Sequence, residues 1–131
     1  MSVKEGDKFT HEFKITSEIT DLFIKLSQDR NPLHIDENFS ISKGFKSKVV
    51  HGNIQNCFLS YFVGEIFPIK NVVILFQKIK FKNPVYENET LFFESKIVNF
   101  VESIKVYELK YKFSNSYNTV SQGIIMIKVI V

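Results

Sequence analysis

The chain of 131 residues has room for one ordinary domain and one core, and its 44% apolar and 24% charged residues exclude a disordered chain. A formal charge of +3 rests on sixteen Lys and a single Arg, Arg30, spread along the chain rather than gathered into a patch, which argues against nucleic-acid readout. The lone Cys57 excludes an intrachain disulfide, no segment approaches the roughly eighteen apolar residues of a membrane helix, and Met1 to Thr10 is charged where a signal peptide would be apolar. A cytoplasmic protein is expected.

A short extended piece ends near Ile15, and Thr16 or Ser17 then offers a hydroxyl N-cap, with Glu18 suited to the first turn of a helix. Ile19, Leu22, Phe23 and Leu26 recur at i, i+3, i+4 and i+7 and mark one helical face. Pro32 bars the residue before it from the helical region, so the helix should stop at Ser27 or Gln28, leaving Asp29 to Asp36 as a polar loop. Asp36, Glu37 and Asn38 can start a short helix carrying Phe39, which Gly44 ends.

From Gly52 to Glu65 the pattern is different. Ile54, Cys57, Phe58, Tyr61 and Phe62 form one face, while Leu59 and Val63 lie on the other. A helix apolar on nearly all sides is a buried one, with Cys57 a small hydrophobe inside it and Pro68 beyond its end. The run Val72 to Phe76 continues into Gln77 to Lys82, where Ile79 and Phe81 alternate with lysines; Asn83-Pro84 breaks it, and Asn88 suits a left-handed turn. Leu91 to Phe100, Ile104 to Phe113 and Val120 to Val131 read as three further strands. One buried helix followed by four long antiparallel strands predicts an α+β domain in which a curled sheet wraps the helix, with open edges that a second copy can cover.

Two segments can carry chemistry. Ser27-Gln-Asp-Arg-Asn-Pro-Leu-His-Ile-Asp36 places a carboxylate (Asp29), an amide (Asn31), a rigid proline and an imidazole (His34) within six residues. Such a loop can aim Asp29 and His34 at one water as general acid and base; Asp-x-Asn-Pro is equally a good turn whose side chains only bond the backbone. In Val49-Val-His-Gly-Asn53, Gly52 falls at the start of the buried helix. There the free N–H groups and the positive helix end suit a carbonyl oxygen gaining charge, although a glycine can serve close packing alone. His34, Asp36 and His51 have no recognised metal-ligand spacing, and no Gly-x-Ser-x-Gly, Walker or dinucleotide glycine pattern occurs.

Taken in order, the stretch from Ser27 to Phe39, Val50-His-Gly52, and Lys80-Phe-Lys-Asn-Pro-Val-Tyr-Glu-Asn-Glu-Thr-Leu91 resemble the MaoC-like hydratases and dehydratases, which include the (R)-specific enoyl-CoA hydratases. The resemblance runs from about Phe9 to the C-terminus. It implies a single hot-dog domain over 1–131, paired into a homodimer, that hydrates a trans-2-enoyl thioester of coenzyme A or an acyl carrier protein, or runs the reverse dehydration, with no metal or redox cofactor. By position, Asp29 and His34 match the catalytic pair. Gly52 matches the backbone N–H that binds the thioester oxygen, and Asn31 the amide that shapes the loop. Gln28 stands where the family commonly has Gly, and Asn53 replaces an apolar residue; an Asn53 that faces the pocket would favour a shorter or more polar acyl group. The alternatives are a hot-dog thioesterase, which would want a carboxylate on the buried helix where only the distant Glu65 lies, and a non-catalytic acyl-thioester-binding subunit.

Overall fold

The computed structural model describes residues 3–131. A first strand, β1 (Lys8–Lys14), leads into α1 (Ser17–Ser27), α2 (Pro32–Ile35) and α3 (Glu37–Ser42), and then into the central helix α4 (Ile54–Tyr61), which continues as a π-helical turn over Phe62–Ile66. Four strands follow, β2 (Val72–Phe81), β3 (Thr90–Val101), β4 (Val106–Ser114) and β5 (Thr119–Val129). They join β1 in one antiparallel sheet of order β1-β3-β4-β5-β2, with β1 and β2 at the edges. This is the expected α+β hot-dog arrangement, a sheet curled around one helix.

Alternation along the strands decides what faces the helix. Leu91, Phe93 and Ile97 of β3, Leu109, Tyr111 and Phe113 of β4, and Ile125 and Ile127 of β5 are buried against Ile54, Phe58, Leu59, Phe62 and Val63. Phe13 stacks on Phe58 with ring centroids 4.3 Å apart, and Phe62 meets Phe93 at 5.0 Å. Each such aromatic pair adds about 0.5–1.5 kcal/mol to the burial of its rings. In the π turn the Phe67 N–H donates to the Phe62 carbonyl at 2.8 Å, five residues back. The extra residue brings Phe67 onto the buried side with Phe62 and Val63.

The central helix is less enclosed than its sequence suggests. Cys57, Ser60, Tyr61, Gly64 and Glu65 form an exposed stripe, so Cys57 is not a core residue of the chain. The α4 helix begins two residues later than expected, at Ile54, after a tight turn at 52–53 whose bonds lead directly into it. The first helix likewise packs only through Ile19 and Phe23, and Leu22 and Leu26 face solvent.

On the outer face of the sheet, Lys8 pairs with Lys96 and Lys96 with Lys110 across adjacent strands. Beside this row, Glu94 holds Lys112 in an ion pair at 2.9 Å. Between β4 and the edge strand, Gly123 leaves room for the Tyr111 ring: a Cβ there would lie 1.8 Å from the Lys78 carbonyl oxygen, which instead accepts from the Tyr111 hydroxyl at 3.0 Å.

Candidate active site

The loop after α1 is built by short-range hydrogen bonds. Thr16 caps the helix start through its hydroxyl, and Gln28 ends it in the left-handed conformation (φ 58°), its N–H bonding the Ile24 carbonyl at 2.7 Å. The Asn31 N–H then donates to Asp29 Oδ1 at 3.1 Å, and Asn31 Oδ1 accepts from the Leu33 N–H at 2.9 Å. With Asn31 as cap and Pro32 in the first position, residues 32–35 form a helical turn rather than continuous loop, because proline preceded by a capping amide starts a helix as readily as it stops one. That turn projects His34. A backbone bond from the Val49 N–H to the Leu33 carbonyl at 2.9 Å ties it to the segment leading into α4.

Asp29 and His34 converge. Asp29 Oδ2 lies 3.7 Å from His34 Nε2, with the carboxylate half-exposed (48%) and the imidazole mostly covered (17%). His34 Nδ1 is 2.6 Å from the Val49 carbonyl oxygen. A carbonyl can only accept, so Nδ1 carries the proton and Nε2 of the neutral ring turns a lone pair toward Asp29. Two acceptors of this kind fit one water donating to both.

His51 completes the cluster. It is 4% exposed, stacks on His34 with centroids 3.7 Å apart, and bonds the Asp29 backbone oxygen through Nε2 at 2.9 Å. The ring therefore clamps both partners from behind. In the sequence it was one histidine beside a glycine, and only the fold places it under a loop twenty-two residues earlier. Asp29, His34 and His51 offer ligand atoms within 4.8 Å of one another, which spacing along the chain did not indicate. His34 Nδ1 and His51 Nε2 already donate to carbonyls. An ion taken by His51 Nε2 would therefore displace the bond that holds the Asp29 loop. Asp36 is elsewhere, capping α3 through the Phe39 N–H.

These groups open onto a cavity of about 460 Å³ lined by Asp29, His34, His51, Gly52, Gln55 and Phe81 among others. Gly52 sits in the turn that leads into α4, and its N–H bonds no acceptor among the described residues. A Cβ on Gly52 would approach the Phe81 ring to 2.9 Å, so the glycine also brings this wall of the cavity close.

Asn53 is exposed and lines the cavity at its rim, its Oδ1 accepting from the Asn56 amide at 2.9 Å, while Asn56 accepts from Gln77 at 2.6 Å. Asn31 is not among the cavity-lining residues, and its Oδ1 bonds within the loop. Glu65 is exposed on the far end of the helix, outside the cavity. Gln55, a buried polar side chain in the cavity wall, was not singled out from sequence; its signal was a polar residue one helical turn beyond Gly52 in an apolar segment.

A helix wrapped by a sheet, with a carboxylate and an imidazole facing its N-terminal turn, defines a hot-dog protein equipped for acid–base chemistry. Residues 2–118 match the family model of the MaoC like domain, and the chain belongs to that family. It is 32% identical over 89 residues to an (R)-specific enoyl-CoA hydratase of Rhodospirillum rubrum, covering 68% of this chain and 62% of that protein. It is 27% identical over 117 residues to a mitochondrial 3-hydroxyacyl-[acyl-carrier-protein] dehydratase of Arabidopsis thaliana, covering 89% of this chain. These alignments span 62% and 66% of the two relatives' lengths. Among solved structures, the (R)-hydratase from A. caviae involved in PHA biosynthesis superposes with a TM-score of 0.91 at 25% identity, covering 98% of each chain. A protein of Archaeoglobus fulgidus superposes at 0.90 with 26% identity, covering 99% of this chain and 81% of that one.

Proposed function

We propose that this domain adds water across the 2,3 double bond of a trans-2-enoyl thioester to give the (R)-3-hydroxyacyl thioester, or runs the reverse dehydration. The observation that carries the reading is the convergence of Asp29 Oδ2 and His34 Nε2, 3.7 Å apart, on the cavity that Gly52 also lines. A water held by the two acceptors presents its oxygen to C3. As the C3–O bond forms, the C2–C3 π electrons move toward C2 and the carbonyl, and charge builds on the thioester oxygen, where the Gly52 N–H stabilises it. One water proton passes to the Asp29/His34 pair and a proton is delivered to C2, so the pair ends as it began. Asp29 and His34 act as one coupled unit. His51 holds them in place, and Asn31 shapes the loop. The chemistry as written uses no metal or redox cofactor.

The two relatives' names pair this chemistry with coenzyme A in one case and an acyl carrier protein in the other. Either carrier suits this chain in a cytoplasmic setting, with residues 1–131 acting as one catalytic domain. No helix among the described residues is long and apolar enough to cross a membrane.

The unit in solution is proposed to be a homodimer formed along β2. This edge strand exposes Val73, Ile74, Leu75 and Phe76 consecutively, a row of unpaired backbone and apolar surface that a second copy covers by antiparallel pairing. Light scattering should give twice the chain mass, and a monomer across micromolar concentrations would remove the dimer.

The test of the activity is loss of the enoyl absorbance of crotonyl-CoA, with chiral analysis of the product. Turnover to the (R)-alcohol, reduced roughly 10²-fold or more in Asp29→Asn, supports the reading. Silence of the wild type on both coenzyme A and carrier-protein thioesters overturns it.

A further inference from the structure

We infer that Gln55, paired with Ser121, sets the acyl specificity of this site by placing an amide donor in the cavity wall, so that the domain takes short or oxygen-bearing acyl groups in preference to long alkyl chains. The inference rests on the proposed hydratase reading of the same cavity. Gln55 is 3% exposed, and its Oε1 accepts a very short hydrogen bond from the Ser121 hydroxyl, itself fully buried on β5. The amide nitrogen bonds no described residue, and yet it is not a sealed orphan: among the described residues, the only buried polar side-chain atom without a partner is the Ser95 hydroxyl. The nitrogen therefore keeps some accessible surface, on a side chain that lines the cavity.

Position along the helix places this donor near the chemistry. Gln55 lies three residues beyond Gly52, on the same face and about one turn deeper, and its own N–H bonds the Gly52 carbonyl at 3.0 Å. Ser121 pairs in register with Phe81, whose ring forms the wall against Gly52. A thioester whose oxygen sits at the Gly52 N–H thus enters a cavity whose wall Gln55 also forms. Filling this part of the cavity with methylene groups strips water from the amide and gives nothing in return. An oxygen on the acyl group, or water retained beside a short chain, keeps it bonded. Asn53, the polar residue the sequence points to, lines the same cavity at its rim with its oxygen bonded to Asn56, and Gln55 adds a second, buried amide to the wall.

The experiment compares wild type with Gln55→Met, of similar length and apolar, and with Gln55→Met/Ser121→Ala, which also removes the hydroxyl left without an acceptor. The readouts are kcat/KM for four-, six- and eight-carbon enoyl-CoA substrates and the Kd of butyryl-CoA and octanoyl-CoA by calorimetry. An unpaired amide costs on the order of 1–3 kcal/mol, so both variants should shift the eight- to four-carbon ratio upward by about five- to hundred-fold. An unchanged ratio in both variants overturns the proposal. Equal weakening of every thioester, including acetyl-CoA, also overturns it, since the donor would then serve the pantetheine arm shared by all. The affinities remain measurable if no enoyl thioester is turned over, so failure of the hydratase reading is distinguishable from failure of this one.

Discussion

Gly52→Ala separates what the glycine does for the fold from what it does for the reaction. The added methyl carbon would lie 2.9 Å from Phe81 Cε1 and 3.1 Å from Cζ. Carbon atoms rest at about 3.5–4.0 Å, so the ring must retreat by roughly 0.6–1 Å. It can do so cheaply, because Phe81 is 48% exposed and ends the edge strand β2. Gly52 is also absent from the residues with left-handed backbone, so alanine meets no strain in φ. The expected stability loss is under about 1 kcal/mol, or about 4 °C in Tm for a chain of this size. The reaction is less tolerant. A displacement near 1 Å at an oxygen-binding group or at the wall that orients the substrate costs about 10²-fold. Thermal melts and crotonyl-CoA kinetics on the same preparations should show a small change in Tm with a large fall in kcat/KM. Phe81→Ala supplies the control: with the ring gone the methyl has room, and the double variant should match Phe81→Ala alone. Wild-type kcat/KM in Gly52→Ala would refute the placing of the thioester oxygen at this turn, and a drop in Tm beyond about 10 °C would refute the claim that the ring gives way.

His34→Ala and Asp29→Asn should each lower kcat/KM roughly 10²-fold or more, and the double variant should lose far less than the product of the two, because in the proposed mechanism both groups hold one water; full multiplicativity would show that they act in separate steps. Burial pushes the Tyr111 phenol up to about 12. A folded value above the ordinary one near 10 means that the neutral phenol's contribution is complete below about pH 10 and is lost as pH rises toward 12. Denaturant melts across that window should show Tyr111→Phe losing less stability per pH unit than wild type, and parallel profiles would contradict the assignment. Asn53→Met breaks the amide chain from Asn53 through Asn56 to Gln77 and should lower Tm by a few degrees at most, on the scale of one exposed hydrogen bond, while leaving the eight- to four-carbon ratio alone. A changed ratio would return the specificity role to Asn53.

Local chemistry was the readable part of the sequence. The Thr16 cap, the stop at Gln28, the short helix between Asp36 and Gly44 and the left-handed Asn88 (φ 71°) follow from rules acting over a few residues, and all appear. The left-handed Gln28 also explains why its position favours glycine in the resembling family. What depended on distant partners was not readable. Periodicity marked α4 as apolar all round, but it cannot say that Cys57 and Tyr61 lie on the side the sheet leaves uncovered. Pro32 alone signals a stop, while its partnership with the Asn31 cap makes it a start. Asp29 and His34 are close in sequence and were found from it, whereas Gln55 becomes a cavity residue only when β5 delivers Ser121 to it.

The lysines on the outer face of the sheet have a consequence for the solution in which the protein works. Lys8, Lys96 and Lys110 stand side by side across three strands, at the spacing of about 5 Å that makes like charges repel most. No described carboxylate pairs with these three, and Glu94 is taken by Lys112. Folding therefore concentrates positive charge that the unfolded chain disperses. The ionic atmosphere opposes that repulsion: its thickness shrinks from about 10 Å at 0.1 M salt to about 3 Å at 1 M, below the spacing of about 4.8 Å between neighbouring strands. The sheet should then be firmer in brine than in dilute buffer, and firmer still beside multivalent anions that can bridge two strands at once. Where many folds lose surface attraction as salt is added, this one is relieved of a strain that its own hydrogen-bond register imposes.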